Sequence, residues 1–120
     1  MGKVININDK LNKFSDYWSP RTIAEMNDYQ LKLAKVKGEF VWHSHKETDE
    51  TFIVLDGELI IEFRNEKVKL SKGELYIVPR GVEHKPYAKH ECHIMLIEPK
   101  GIINTGDATS KLTSENDVWV

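Results

Sequence analysis

From Tyr29 to Pro99 the chain is a succession of strand-length apolar runs, each stopped by glycine, proline or an Asp-Gly pair before a helix could develop. Leu31, Leu33 and Val36 come close to alternating with lysines, the pattern of a strand with one wet face. Phe40 to His45 and Thr51 to Leu55 read as two further strands. Asp56-Gly57, flanked by apolar runs, is a strong hairpin turn because both positions tolerate positive φ. Leu59 to Phe63 returns from it, Asn65-Glu66 turns into Val68 to Leu70, and Lys72-Gly73 turns into Leu75 to Val78. Pro79-Arg80-Gly81 ends that strand, since proline cannot donate to a ladder, and His93 to Ile97 reads as one more. A parallel α/β fold needs long helical crossovers, and there is no room for them. The expected class is therefore all-β, a single-domain sandwich or barrel.

The flanks are less regular. Val4 to Ile7 reads as a short strand, and Asp9 to Tyr17 as a short helix with Asp9 as N-cap and Leu11 and Phe14 on one face. Ser19-Pro20 breaks that pattern, and the stretch after Gly101, rich in Asn, Thr, Ser, Gly and Asp, reads as extended or irregular. With 120 residues there is room for one core. The expected division is an N-terminal arm over 1–28 packing on the barrel, a barrel over 29–100 and an extended tail over 101–120.

Charge narrows the function classes. Charged residues make up 30% of the chain, the formal net charge is −2, and the two signs are interspersed. No basic footprint for nucleic acid is present. No apolar run approaches the roughly 20 residues that span a bilayer, and the first residues lack the apolar stretch of a signal peptide. The single cysteine, Cys92, cannot form an internal disulfide. These readings point to a cytoplasmic protein without nucleic-acid or membrane partners.

Three of the five histidines fall in two tight constellations. His43 and His45, two apart on an expected strand, leave the same face about 6.6 Å apart and can converge on one ion. Glu50 is in phase with Phe52 and Val54, so an otherwise apolar face ends in a carboxylate, which needs a partner once buried. His84 lies just past the Pro79-Arg80-Gly81 turn, where a barrel could bring it beside the first pair. His90 and His93, taken alone, read as ordinary surface or core residues.

Gly38-x4-His43-x-His45-x4-Glu50-x6-Gly57, followed by Gly73-x5-Pro79-x-Gly81-x2-His84, resembles the two sequence motifs of the cupin superfamily. The motifs span His43 to His84, and the strand pattern extends the likeness over Tyr29 to Pro99. One residue fewer than usual separates Gly38 from His43, and Ala88 stands where the second motif usually ends in Asn. The chain is similar in particular to short, stand-alone bacterial cupins of the mannose-6-phosphate isomerase-like kind. The resemblance implies a jelly-roll β-barrel in which His43, His45, Glu50 and His84 hold one divalent metal.

Three imidazoles and one carboxylate suit Mn, Fe, Co, Ni, Cu or Zn rather than Ca or Mg. On an octahedral ion they leave two positions open; on a tetrahedral ion they leave none. The expected pocket walls are Val41, Phe52, Val54 and Ile61, with Ile77 or Val78 and Met95 nearby, an apolar site of the kind that takes a small molecule. Tyr76, Arg80 and His93 stand as candidates for the mouth, where Arg80 could pin a carboxylate or phosphate. Three functions fit: an oxygenase-like or isomerase-like metalloenzyme acting on a small oxygenated metabolite, a non-catalytic metal-dependent binding or sensing module, and a barrel with a purely structural metal. A sugar-phosphate isomerase would show several inward cations, and only Arg80 is well placed. Thr51, Ile53 and Leu55 make the Thr51 to Leu55 strand apolar on its second face too, which calls for a cover. The Val4 to Ile7 segment and a second subunit are the available covers, and dimeric cupins resemble this arrangement, which implies a homodimer.

Overall fold

A computed structural model describes residues 2–120 of the chain. The elements in chain order are α1 (Ile7–Leu11), β1 (Arg21–Met26), β2 (Tyr29–Glu39), β3 (Glu50–Asp56), β4 (Glu58–Glu62), β5 (Lys67–Ser71), β6 (Leu75–Val78) and β7 (Lys85–Pro99). Every strand pairing is antiparallel. The fold is an all-β jelly-roll barrel.

Two long strands organise it. β2 and β7 pair along almost their whole length, from Tyr29↔Pro99 to Glu39↔Tyr87, with a bulge between Val36 and Gly38. The other edge of β7 is shared. Its C-terminal half takes β3, from Thr51↔Ile97 to Asp56↔His93, and its N-terminal half takes β4, from Ile60↔Tyr87 to Glu62↔Lys85. β6 extends the first wing beyond β3, and β5 extends the second beyond β4. One strand thus belongs to two wings, and a core forms between them from Val36, Phe52, Val54, Leu59, Ile61 and Ile94, among others.

The turns follow their residues. Gly57 closes the β3–β4 hairpin at φ +87°, and its α-carbon packs so closely on β7 that a Cβ would stand 3.0 Å from the Glu91 carbonyl oxygen. Asn27, at φ +55°, turns β1 into β2, an early hairpin that the apolar pattern did not reveal. β7 is also longer than the expected His93 to Ile97, because its polar stretch Lys89–Glu91 carries the crossing between wings.

Several local expectations need correction. Val4 to Ile7 forms no strand; Asn6 accepts from the Asp9 backbone N–H at 2.9 Å and caps a helix ending at Leu11, so Asn6 rather than Asp9 is the N-cap. Phe14 lies past that helix, yet Leu11 and Phe14 both pack on Ile23, Leu33 and Met95, outside the barrel. β2 has no wet face along Gln30–Val36: Leu31 and Leu33 pack outward under the N-terminal segment, while Gln30, Lys32, Ala34 and Val36 turn inward and are buried. Phe40 to His45 is not a strand either; its one β-bridge joins His43 to His84.

The segment after Gly101 has no regular structure. It crosses the barrel mouth, where Asn104 donates to the carbonyls of Trp18 and Leu112, and ends beside β1 through a Thr22↔Trp119 bridge. The positive φ and the close approach make Gly57 intolerant of a side chain. Gly57→Ala is expected to destabilise the protein by about 1–3 kcal/mol, read as a lower denaturant midpoint at unchanged slope.

Candidate metal centre

Backbone hydrogen bonds place the ligands. His43 N–H donates to the His84 carbonyl at 3.0 Å, and His84 N–H donates back to the His43 carbonyl at 2.9 Å. Gly81 N–H donates to the His45 carbonyl at 2.8 Å, so the turn after β6 holds the segment carrying both first-motif histidines. Between them, Ser44 is clamped from the C-terminal segment. Asp107 accepts from the Ser44 backbone N–H at 2.9 Å and from its hydroxyl at 3.1 Å, and Asp107 N–H returns a bond to the Ser44 carbonyl. Gly106 lies against this clamp so tightly that a Cβ there would collide with the Ser44 carbonyl oxygen.

His43, His45, Glu50 and His84 come together as a buried cluster, with one ligating atom of each within 4.8 Å of the others. The Nδ1–H groups of His43 and His84 donate to the Val41 and Val82 carbonyls, both at 2.9 Å, which leaves each Nε2 for other work. Glu50 heads β3, with Oε1 3.3 Å from His84 Nε2 and Oε2 3.3 Å from His45 Nε2. The His45 Nε2 atom is buried and has no hydrogen bond of good geometry. The rings pack by edge and face, His43 against Phe40 and His84 against Phe52.

Burial favours the uncharged forms here. It lowers His43 to about 4, helped by the charge of His84. Burial alone would raise the Glu50 carboxyl, but the imidazoles of His45 and His84 beside it hold it well below the usual carboxylate range. Glu98, on β7, stands next to Glu50 and is pushed well above that range by burial and by the Glu50 charge, with Lys32 opposing. Three imidazoles facing one carboxylate, with an orphaned Nε2 among them, form a donor set fit for one transition-metal ion.

The expected pocket is only partly the real one. Of its named residues, Phe52 lines a cavity of about 30 Å³ beside His43 and Glu50, together with Trp18, Phe40, Ile94 and Leu96. Val54 and Ile61 are sealed in the core, and Val41 packs half-buried against it. Met95 faces the opposite way, into the cluster under Leu11 and Phe14, because inward positions on β7 fall at Ile94 and Leu96. Arg80 lies at the surface beside Asp49 and does not reach the cavity. His93 is on the outside too, bonded to Glu91, and Tyr76 packs on Phe63.

Trp18, Asn104, Gly106 and Asp107 come from the flanks, and only packing reveals them. A groove of about 290 Å³ separates residues 44–48 from 101–107 and reaches His45 from solvent.

Comparison with known proteins gives a consistent picture. The family model for the cupin domain matches residues 31–98. The uncharacterized protein YdbB of Bacillus subtilis is 35% identical over 86 residues, covering 71% of this chain and 76% of YdbB. The crystal structure of a cupin-2 domain containing protein from Shewanella frigidimarina superposes with a TM-score of 0.80 at 63% identity, over 81% of this chain and 95% of that one. Protein NMB1881 from Neisseria meningitidis follows at 0.75 and 28% identity, over 82% of this chain and 100% of that one.

The depressed His43 value carries a pH signature. The unfolded chain takes up a proton near 6.5 and the folded chain only near 4. Stability of the ion-free protein should therefore be fully present above pH 6.5 and fall as the pH drops toward 4, by up to about 3 kcal/mol from this residue. Urea unfolding at pH 7 and pH 5 checks it: His43→Gln should flatten the difference, and an undiminished difference would refute the assignment.

Proposed function

The chain belongs to the cupin domain family, and on that footing we propose that it binds one divalent transition metal through His43, His45, Glu50 and His84 as a metalloenzyme acting on a small oxygenated molecule. The observation that carries the reading is the buried, unpartnered Nε2 of His45, 3.3 Å from a carboxylate that is itself buried. Leaving such a group unsatisfied costs about 1–3 kcal/mol, and an ion shared with Glu50 removes that cost. Mn, Fe, Co, Ni, Cu and Zn suit this donor set.

Bound there, the ion would supply Lewis acidity or redox chemistry to a coordinated oxygen. The protein's own part is support. Val41 and Val82 fix the tautomers of His43 and His84 through their carbonyls, and Glu50 offsets part of the ion's charge. Trp18, Phe40, Phe52 and Leu96 keep bulk water off the His43 side, while the groove beside His45 gives a route for a metabolite. Inward cations are scarce: Arg80 is on the surface and Lys32 is tied to Glu98, which argues against a sugar phosphate as substrate. The small volume of the inner cavity supports a second reading, a structural or sensing metal with no room for turnover.

Protein purified without a histidine tag is expected to carry about one ion per chain, and His84→Ala to lose it along with thermal stability. Full metal content in that variant would remove His84 from the ligand set. Azide added to the Co(II)-loaded protein should shift its visible spectrum if a coordination position is open. An unchanged spectrum at all azide concentrations would exclude the enzyme reading and leave the structural one.

The quaternary proposal is a homodimer. β6 ends its wing with an unpaired edge, and its outward Leu75 and Ile77 are 56% and 52% exposed beside half-buried Ile53 and Thr51. The N-terminal segment covers Ile53 and Leu55 in part and leaves this stripe open. A second copy related by a two-fold axis offers the same stripe in return. Light scattering at micromolar concentration should give a dimer, and Ile77→Glu should give monomer; a wild-type monomer would overturn the proposal.

A further inference from the structure

The inner faces of β2 and β7 carry a second buried polar pair that the ligand set does not use. Lys32 and Glu98 are 4% and 1% exposed, and Lys32 Nζ donates to Glu98 Oε1 at 3.0 Å. An ionisable pair taken out of water contributes little net stability, and apolar residues of similar volume often do better. Fold stability is thus an insufficient reason for the pair. Its surroundings offer another. β3 pairs with β7 with Thr51 opposite Ile97, so the next residues along, Glu50 and Glu98, lie across from each other, and both are buried. Its second oxygen, Oε2, is buried without a partner of good geometry. With Oε1 held by Lys32, Oε2 is the oxygen left on the Glu50 side of the pair without a donor of its own. Lys32 is anchored in turn, with its Nζ 3.4 Å from the Ile102 carbonyl oxygen where the chain leaves β7 to cross the barrel mouth.

We propose that Glu98, held in place by Lys32, is a positioning residue for Glu50, fixing the orientation in which that carboxylate meets the metal ion. The proposal rests on the metal-binding reading above. A ligating carboxylate can rotate and can present one oxygen or two; a fixed neighbour selects one arrangement. Such outer partners typically change metal affinity by about 10- to 100-fold when removed. The pair also joins the metal centre to the C-terminal segment through Ile102, so one buried cation serves both.

Two variants separate positioning from simple packing. Lys32→Met/Glu98→Leu replaces the pair by apolar side chains of similar size. Glu98→Gln keeps a side chain that can accept from Lys32 and donate to Glu50. Each is titrated with Co(II) against a competing chelator, its visible absorption spectrum is recorded, and the ion-free form is unfolded thermally. Wild type should take up about one Co(II) per chain. Glu98→Gln should stay within about threefold of wild-type affinity with the same spectrum. The double variant should bind about tenfold or more weakly, with shifted visible bands, while its ion-free form unfolds at an unchanged or higher temperature. A double variant with wild-type affinity and spectrum would overturn the positioning role and leave the metal reading standing, and a Glu98→Gln protein as weak as the double variant would overturn the role too. A wild-type protein that binds neither Co(II) nor the other transition metals would overturn both. Should the double variant fail to fold, Lys32→Met/Glu98→Gln decides, since it keeps the contact to Glu50 but loses its anchor: shifted bands support the proposal and wild-type bands overturn it.

Discussion

The hydrogen bonds that run both ways between the backbones of His43 and His84 are the smallest β-ladder possible, and the site is arranged around them. A barrel interior supplies few ways to hold polar side chains in a fixed relation, because apolar packing is nondirectional. Hydrogen bonds are directional, and this bridge sets two histidines from distant parts of the chain face to face, with ring centres 4.3 Å apart. Glu50 then enters from the start of β3, a position locked by its register against Val78 on β6. Backbone bonds thus decide where the polar atoms go, and the apolar core accommodates the result.

Inside the barrel, the polar side chains gather against one another. Glu50 faces two imidazoles, Lys32 faces Glu98, and Gln30 reaches Glu25 and Asp117. This internal chain runs from the His43, His45, Glu50 and His84 cluster toward the tail along the inner faces of β2 and β7. Buried ions in such a chain depend on one another, so removing one partner strands the next.

Strand positions that depend on local turn chemistry were readable from residues alone. Asp56-Gly57 and Pro79 punctuate the chain where their backbone preferences require, and the phase of Glu50, Phe52 and Val54 follows from β-alternation. The four clustered residues were legible too, through the joint spacing of two motifs. Lys32 was misread because a lysine between leucines is normally the wet position, and only the cover of Leu11 and Phe14 over Leu33 shows that both faces are dry. Phe40 to His45 has strand composition, yet its backbone serves the His84 bridge and the Gly81 turn instead of a ladder. Met95 misled by one position: Ile94 pairs with Ala34 and Val54 and Leu96 with Phe52, so those two positions face inside and Met95 faces out. Contacts made between segments far apart in the chain leave no local pattern to find.

The tight seat of Gly106 against Ser44 has a consequence for how proteins of this shape diverge. The residues matched by the cupin model run from 31 to 98, whereas Trp18, Asn104, Gly106 and Asp107, which close the mouth and clamp the ligand segment, all lie outside them. Barrel and closure are therefore built from different stretches of the chain. Two chains can share every strand and all four clustered side chains while differing in what is laid across the opening. The shape of the mouth is then set in part by the flanks, outside the residues that the cupin model matches.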